Sequence, residues 1–469
     1  MQAVGFAMLG AVAAVMLLAR LPACMAMIGV STVFALAGVG LGVIPFALLG
    51  ALPSRVIGLL ETDLLQALPM FVLMGGLLNR LPLADAMFRV FTCLGGRSPA
   101  AAEMAGLGLG ALLAPMNGSA GASVAMLSRV VAPRLRQSGV AEAPALATIC
   151  AAGTLGVVVP PSLVLILLGD AMMRAHTEAL NTTGAMVRIV NTQDIFRGAL
   201  PPAALLLGLS LAVAVWRGRG RPATPPPRVE PAAWAMAIAA ILGIVMLLGA
   251  VTLGYLYAVE AAATGAVGLF IAGLASGHVR GEVRRALLRE TMAVTGALFA
   301  LFLAAVTFTL VFRAFGTDRL LAAMVTAVPG GAAGALALVL GLIAICALVL
   351  DAFEIVLVIV PLVMPPLLLR APDAVWDSVL VLLVLQASFL LPPFGYAVML
   401  ARGLWEGRVP LLATTRAVAP FLLAQLLVLG LTLAVPRLVH LTAPADTELR
   451  PTLSDAEARQ RLLRMTLPE

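Results

Sequence analysis

An aspartate stands alone in one long apolar stretch of this chain. No charged residue occurs from Leu320 through Leu350, and then Asp351 follows, with Glu354 three residues on. A carboxylate at membrane depth costs roughly 2.5–3.5 kcal/mol on insertion scales, so it needs a cation, a proton or hydrogen-bond donors. Two chemistries fit Asp351: a ligand for a sodium ion or a proton, or a carboxylate capping a helix at a turn. Ser119 is a second candidate oxygen ligand, with Ser123 one helical turn later in Gly-Ser-Ala-Gly-Ala-Ser, 118–123. Hydroxyls and unwound backbone carbonyls are hard oxygen donors suited to a small alkali cation. The competing account is that Gly and Ser simply let membrane helices pack closely.

Two further stretches carry similar potential. Gly153-Thr154-Leu155-Gly156 precedes Pro160-Pro161-Ser162, and Ser388-Phe389-Leu390-Leu391 precedes Pro392-Pro393, with Gly395 just beyond. Proline removes a backbone donor and breaks a helix. Half-helix N-termini at such breaks carry partial positive charge and can face an anionic solute, while freed carbonyls can coordinate a cation. The candidate sodium ligands are therefore Ser119, Ser123, Asp351, Gly153, Thr154, Gly156, Ser388 and Leu391, partly through backbone carbonyls. The candidate solute-facing positions are Gly118, Pro160, Pro161, Ser162, Pro392, Pro393 and Gly395. A plain proline kink is the simpler alternative at each break.

These residues are related by one spacing. Asp351 lies 232 residues after Ser119, Pro365 lies 232 after Pro133, and Pro392-Pro393 lie 232 after Pro160-Pro161. One shared offset predicts two structural repeats, each with its own interrupted membrane helices, an arrangement typical of secondary transporters.

The elements that must hold them are membrane helices. The chain has 469 residues, 62% of them hydrophobic and 11% charged, with mean hydropathy +1.07. A soluble fold would lack the polar surface to cover itself. Apolar runs near bilayer-spanning length recur, and no period-two alternation suggests a barrel. The expected fold class is an all-α polytopic membrane protein with two inverted-topology repeats. Each repeat has a re-entrant helical hairpin and a Pro-Pro-interrupted helix. All 30 basic residues are arginine and the net charge is +7. The arginines fall mostly between apolar runs, which favours positive-inside bias over nucleic-acid binding. The four cysteines are scattered, without metal-ligand spacing. Without lysine there is no ATP-binding P-loop, and no Ser/His/Asp set lies at membrane depth, so neither a primary pump nor an enzyme is expected.

The first repeat is placed at 1–216. It has spans at 4–19, 25–43 and 64–78, a hairpin at about 104–132, a broken helix at about 143–172 and a polar insertion at 172–194 on the outside. A cytoplasmic Pro/Arg linker occupies 217–231. The second repeat, 232–436, holds a hairpin at about 334–369 and a broken helix at about 378–404, and a polar tail fills 437–469. An odd number of crossings inverts the second repeat, and the arginine clusters then place the N-terminus outside. His176, His278 and His440 read as solvated loop or tail residues.

At these motifs the chain resembles the large membrane subunit, DctM-like, of tripartite ATP-independent periplasmic (TRAP) transporters. The resemblance rests on Gly118–Ser123, on Ala-Ala-Gly-Thr-Leu-Gly-Val-Val-Val-Pro-Pro-Ser at 151–162 and on Asp-Ile-Phe-Arg-Gly-Ala-Leu-Pro-Pro at 194–202. It continues through Asp351 with Pro361 and Pro365, and Leu-Pro-Pro-Phe-Gly at 391–395. It covers nearly the whole chain. It implies a sodium-coupled secondary importer of the bacterial inner membrane with an elevator mechanism. A small four-helix membrane subunit (DctQ-like) and a periplasmic solute-binding protein (DctP-like) that delivers a carboxylate-bearing solute are the implied partners. Beyond sodium ions as coupling ions, no cofactor is implied.

Three positions depart from that pattern. The usual Gly-Ser-Ser is Gly118-Ser119-Ala120, the second Pro-Pro follows Leu391 where Thr is usual, and the insertion at 172–194 is longer. The first two remove hydroxyls from the ion sites, so a backbone-only site, a lost site or protonation of Asp351 stand as alternatives to full sodium coupling. Two other functions stay open: a binding-protein-independent anion transporter of related inverted-repeat fold, and a non-transporting membrane assembly or sensor subunit.

Overall fold

The computed structural model describes residues 3–61, 63–117, 119–183, 188–222 and 225–442. The described residues are helices joined by turns, with no strand among them. This is what a chain so apolar must do, because only helices satisfy every backbone group within one segment in lipid.

The first half runs α1 (Val4–Ala19), α2 (Ala23–Gly40), α3 (Phe46–Leu49), α4 (Leu52–Leu60), α5 (Asp63–Leu78), α6 (Leu83–Leu94), α7 (Ala101–Leu113), α8 (Ala120–Gln137), α9 (Glu142–Thr154), α10 (Leu163–Thr183) and α11 (Thr192–Gly218). The second half runs α12 (Pro231–Leu253), α13 (Ala258–Ala275), α14 (Gly281–Ala314), α15 (Thr317–Ala327), α16 (Gly331–Cys346), α17 (Ala352–Glu354), α18 (Val360–Leu368), α19 (Ala374–Leu390), α20 (Tyr396–Leu404), α21 (Leu411–Ala434) and α22 (Arg437–His440). A π-helical turn, Ile355–Ile359, joins α17 to α18. By length and composition, six helices among the described residues can cross a bilayer, or seven if the pair α5–α6, bent by 62°, counts as one span.

Several helices lie between the expected spans. The segment between α5 and the first hairpin holds α6, whose Ala84, Ala86, Met87, Phe88 and Val90 are buried. Its one arginine, Arg89, marks the exposed face of an amphipathic helix rather than a loop. The loop around Ser54 and Arg55 contains α4. The arginine-rich segment before the third span of the second half is the opening of one helix, α14, 34 residues long. The insertion is helical through residue 183 and re-enters α11 at Thr192, behind an Asn191 capping box with Asp194. Asn at the cap and Asp three residues on satisfy first-turn N–H groups reciprocally.

Packing partners exchange between the halves. α5 lies on α13, and α14 lies on α2. α10 packs on α18, and α20 on α8. α9 packs on α21, and α19 on α11. Side-chain contacts also sort the bundle into two ends. At one end Arg134 meets Asp85, Arg136 meets Glu406 and Arg217 reaches the Ala417 carbonyl. At the other, Arg197 donates to the carbonyls of Thr252 and Leu253, Arg313 meets Glu178, and Trp376 Nε1 donates to Thr432 O.

Candidate functional site

The first hairpin is α7 and α8. Between them Pro115–Asn117 forms a single tight turn, Gly118 lies outside the described residues, and Ser119 caps α8. The Ser119 backbone is extended and its Oγ accepts from Ala122 N at 3.1 Å. Ser123 Oγ lies 2.9 Å from Ser119 O and 3.1 Å from Ala114 O, so it ties the two arms of the hairpin together.

The second hairpin tip repeats this local chemistry. Asp351 caps α17: its Oδ1 accepts from Ala352 N at 2.6 Å, and Glu354 Oε2 accepts from Asp351 N at 3.0 Å. Asp351 therefore performs the capping role. One carboxylate can cap and bind a cation at once, since an ionised carboxylate offers about four acceptor positions. Among the described residues neither Asp351 nor Glu354 pairs with an arginine or a histidine.

Both tips face one cavity of about 400 Å³. Asn117, Ser119 and Ala122 come from the first hairpin, and Asp351, Phe353 and Glu354 from the second. Leu163 brings the N-terminus of α10 to the same space. The opposite wall is α14 from Leu287 to Leu301, with Val72, Gly75 and Gly76 of α5, Asn79 just past its end, and the start of α2. Glu290 stands at the wall, paired with Arg80 at 2.6 Å. Gly75 permits this arrangement, because a Cβ there would lie 3.0 Å from Asn117 Cα and 3.0 Å from Met116 O.

Asn117 is the functional candidate that the sequence reading passed over. It is 8% exposed and lines the cavity, and neither its Oδ1 nor its Nδ2 has a hydrogen-bond partner among the described residues. Asn79 Oδ1 lines the same space and is likewise unpartnered. Orphaned buried amides are rare and costly, and those facing a cavity have their donors and acceptors directed at whatever fills it. The 232-residue offset could not point to Asn117, since it lands on Val349.

The broken helices sit behind the tips. Gly156 is pressed on the first hairpin: a Cβ there would lie 2.6 Å from Ala114 C. Gly153 meets Val124 in the same way, and Thr154 Oγ1 donates to Ala151 O at 3.0 Å. Pro160, Pro161 and Ser162 are buried, and Ser162 Oγ accepts from Leu165 N at 3.2 Å, opening α10. Ser388 Oγ donates to Val384 O at 2.9 Å. The second break is more open, with Leu391 at 43% and Phe394 at 61% exposure, while Gly395 N closes a turn onto Leu391 O at 2.7 Å. Both Pro-Pro peptides are cis. None of Ser123, Gly153, Thr154, Gly156, Pro160, Pro161, Ser162, Ser388, Leu391, Pro392, Pro393 or Gly395 is part of the cavity wall.

A helical membrane bundle whose paired hairpin tips face one cavity is an arrangement found in solute transporters. The family model for the tripartite ATP-independent periplasmic transporter, DctM component, matches residues 10–438, and the chain belongs to that family. The C4-dicarboxylate TRAP transporter large permease protein DctM of Rhodobacter capsulatus is 25% identical over 383 residues, covering 79% of this chain and 85% of that protein. The isethionate TRAP transporter permease protein DctMQ of Oleidesulfovibrio alaskensis is 22% identical over 387 residues, covering 79% of this chain and 57% of that one. Among solved structures, the YdaH transporter of Alcanivorax borkumensis shares the fold, with a TM-score of 0.60 at 17% identity over 83% of this chain and 88% of that one. The chain is thus a multi-pass transporter permease and not an enzyme.

Proposed function

We propose that this permease imports a carboxylate-bearing organic solute across a bacterial inner membrane, driven by a sodium gradient. The carrying observation is that both hairpin tips line one cavity against α14. Asn117 and the N-termini of α8 and α10 offer donors and partial positive charge to a solute carboxylate. Asp351 and Glu354 offer hard oxygen and negative charge to a small cation beside it. Each charge then lowers the cost of the other in a space of low dielectric.

The helix packing supports an elevator mechanism with two inverted repeats. The hairpins, the broken helices, α11 and α21 form the moving unit. α1, α2, α5, α12, α13 and α14 form the frame, whose members pack on one another across the halves. The end bearing Arg80, Arg134, Arg136, Arg217 and Arg221 is cytoplasmic by the positive-inside bias. A small DctQ-like membrane subunit braces the frame, and a DctP-like periplasmic protein delivers the solute. The fused name of the isethionate relative, DctMQ, is in keeping with such a subunit.

The test is uptake into vesicles holding the chain with purified DctQ-like and DctP-like partners. C4-dicarboxylate and isethionate serve as probes because they stand in the names of relatives. Sodium-dependent uptake that falls at least about tenfold in Asp351→Ala is expected, corresponding to about 1.4 kcal/mol of lost ion binding. Uptake indifferent to sodium, or undiminished in that variant, defeats the ion assignment.

A further inference from the structure

We propose that Asp377 is a proton-binding site, loaded from the solvent through Asp373 and His440. Asp377 lies in the first turn of α19, is 0% exposed, and has no hydrogen-bond partner among the described residues for either Oδ1 or Oδ2. It is walled by apolar neighbours on its own helix: Leu380 and Val381 are themselves fully buried. An ionised carboxylate in such a place forfeits its hydration with nothing in return, and the group neutralises instead. The 232-residue offset pairs Asp377 with Ala145, so the acid belongs to the second half alone. It is not part of the cavity between the hairpin tips.

The charged groups on the surrounding elements are engaged elsewhere. On α11, Asp194 pairs with Arg188 and Arg197 donates to backbone carbonyls of α12. On α10, Asp170 pairs with Arg174, and Glu178 with Arg313. Helix α16 has no charged residue, and Glu142 of α9, Arg402 of α20 and Arg416 of α21 lie toward the opposite end of the bundle. On α22, Arg437 makes no ion pair with Asp377, and His440 is committed to Asp373. No cation among the described residues is within salt-bridge distance of Asp377.

A route for the proton begins at the cap of the same helix. Asp373, the cap of α19, lies four residues before Asp377, at the solvent-facing start of the helix, and its Oδ1 accepts from Trp376 N at 3.0 Å. Asp373 Oδ2 is 2.7 Å from His440 Nε2, and the pair is exposed at 37% and 41%. A proton arriving on this pair passes to the Asp377 carboxylate, which becomes a neutral acid. No other bond changes. The ligand is the proton itself, and the structure offers none of the several oxygen donors that a metal cation would need here.

Infrared spectroscopy of the purified full chain tests this without any solute, so its outcome is separate from that of the transport experiments. The wild type at near-neutral pH is expected to show the carbonyl stretch of a buried protonated carboxyl. Asp377→Asn, a neutral mimic, is expected to lose that band while melting at the wild-type temperature. Raising the pH of the wild type alone gives a second readout, in which the band disappears as the proton leaves. Asp373→Asn and His440→Gln are expected to keep the band and slow its hydrogen–deuterium exchange severalfold. A wild-type spectrum identical to that of Asp377→Asn overturns the site. Loss of the band on adding sodium chloride but not choline chloride assigns it to a metal cation and overturns it too. Unchanged exchange in both route variants overturns the loading path.

Discussion

At the scale of single residues, the cavity sets Asn117 apart from the hydroxyls around it. Ser119, Ser123, Thr154, Ser162 and Ser388 each hold a local backbone partner, whereas the Asn117 amide holds none. Removing Ser119 or Ser162 therefore disturbs a cap, and removing the other three hydroxyls disturbs a contact to a backbone carbonyl, whereas the Asn117 amide has no such contact among the described residues to lose. Asn117→Ala is expected to lower solute affinity by about 5- to 30-fold, the equivalent of one or two hydrogen bonds, with little change in melting temperature. Titration calorimetry with a transported solute decides it, and wild-type affinity in the variant removes Asn117 from the site. A different residue-scale effect belongs to His176, which is buried at 8% exposure and was expected to be solvated. Its Nδ1 accepts from Val190 N at 3.1 Å, and burial lowers its pKa below the ordinary histidine value. The neutral ring is the one that accepts, so the contact contributes stability above the unfolded-state pKa. That contribution is lost as pH falls through the unfolded-state value and toward the lower folded one. Amide exchange at Val190 is expected to accelerate on acidification in the wild type and to be fast at every pH in His176→Ala. Exchange independent of pH in the wild type contradicts this.

At the scale of elements, what was legible in the sequence follows from how strongly a local signal constrains the chain. The apolar runs, the tight Asn117–Ser119 tip and the Pro-Pro breaks were readable because each has a backbone cause: hydrophobic length, small residues, missing donors. The cap at Asp351 was readable only as one of two roles, since a lone carboxylate before a helix serves capping and ion binding equally. Helices α4 and α6 were missed because a lone arginine on one face resembles a loop charge until the rest of the helix is seen. Glu103 escaped altogether. It is 0% exposed on α7, and Arg221 at 2.7 Å and Arg217 at 3.9 Å answer it from the end of α11 and the linker. No local pattern links residues 118 positions apart. This cluster clasps the first hairpin to α11, and breaking one side of a buried pair costs about 3–5 kcal/mol. Glu103→Gln keeps the Thr148 contact but leaves two arginines uncompensated. The variant is expected to melt well below the wild type in detergent, while Glu282→Gln, from an exposed pair, melts with it. Equal melting of both variants with the wild type would show that Glu103 carries no such role.

At the scale of the whole molecule, the contacts divide the arginines between two ends. Arg80, Arg89, Arg134, Arg136, Arg217, Arg221 and Arg285 all pair or donate at the end where α11 finishes and α12 and α14 begin. Arg174, Arg188, Arg197, Arg313 and Arg370 occupy the other. The asymmetry is larger when Arg97, Arg284, Arg289, Arg402, Arg408 and Arg416, which neighbour the first group along the chain, are placed with it. Arginine-rich ends tend to stay in the cytoplasm during insertion, and the proposed orientation rests on this distribution. In the proposed orientation Arg80 and Glu290 stand on the cytoplasmic side of the cavity, and solute leaving past them would enter the cell. In a background with Cys24, Cys93, Cys150 and Cys346 replaced, a single cysteine at Thr177 is expected to react with a membrane-impermeant maleimide in intact cells. Single cysteines at Ser138 or Arg285 are expected to react only after the membrane is opened. The reverse pattern would turn the molecule over, make the Arg80 side the entrance, and leave the carrier oriented for export.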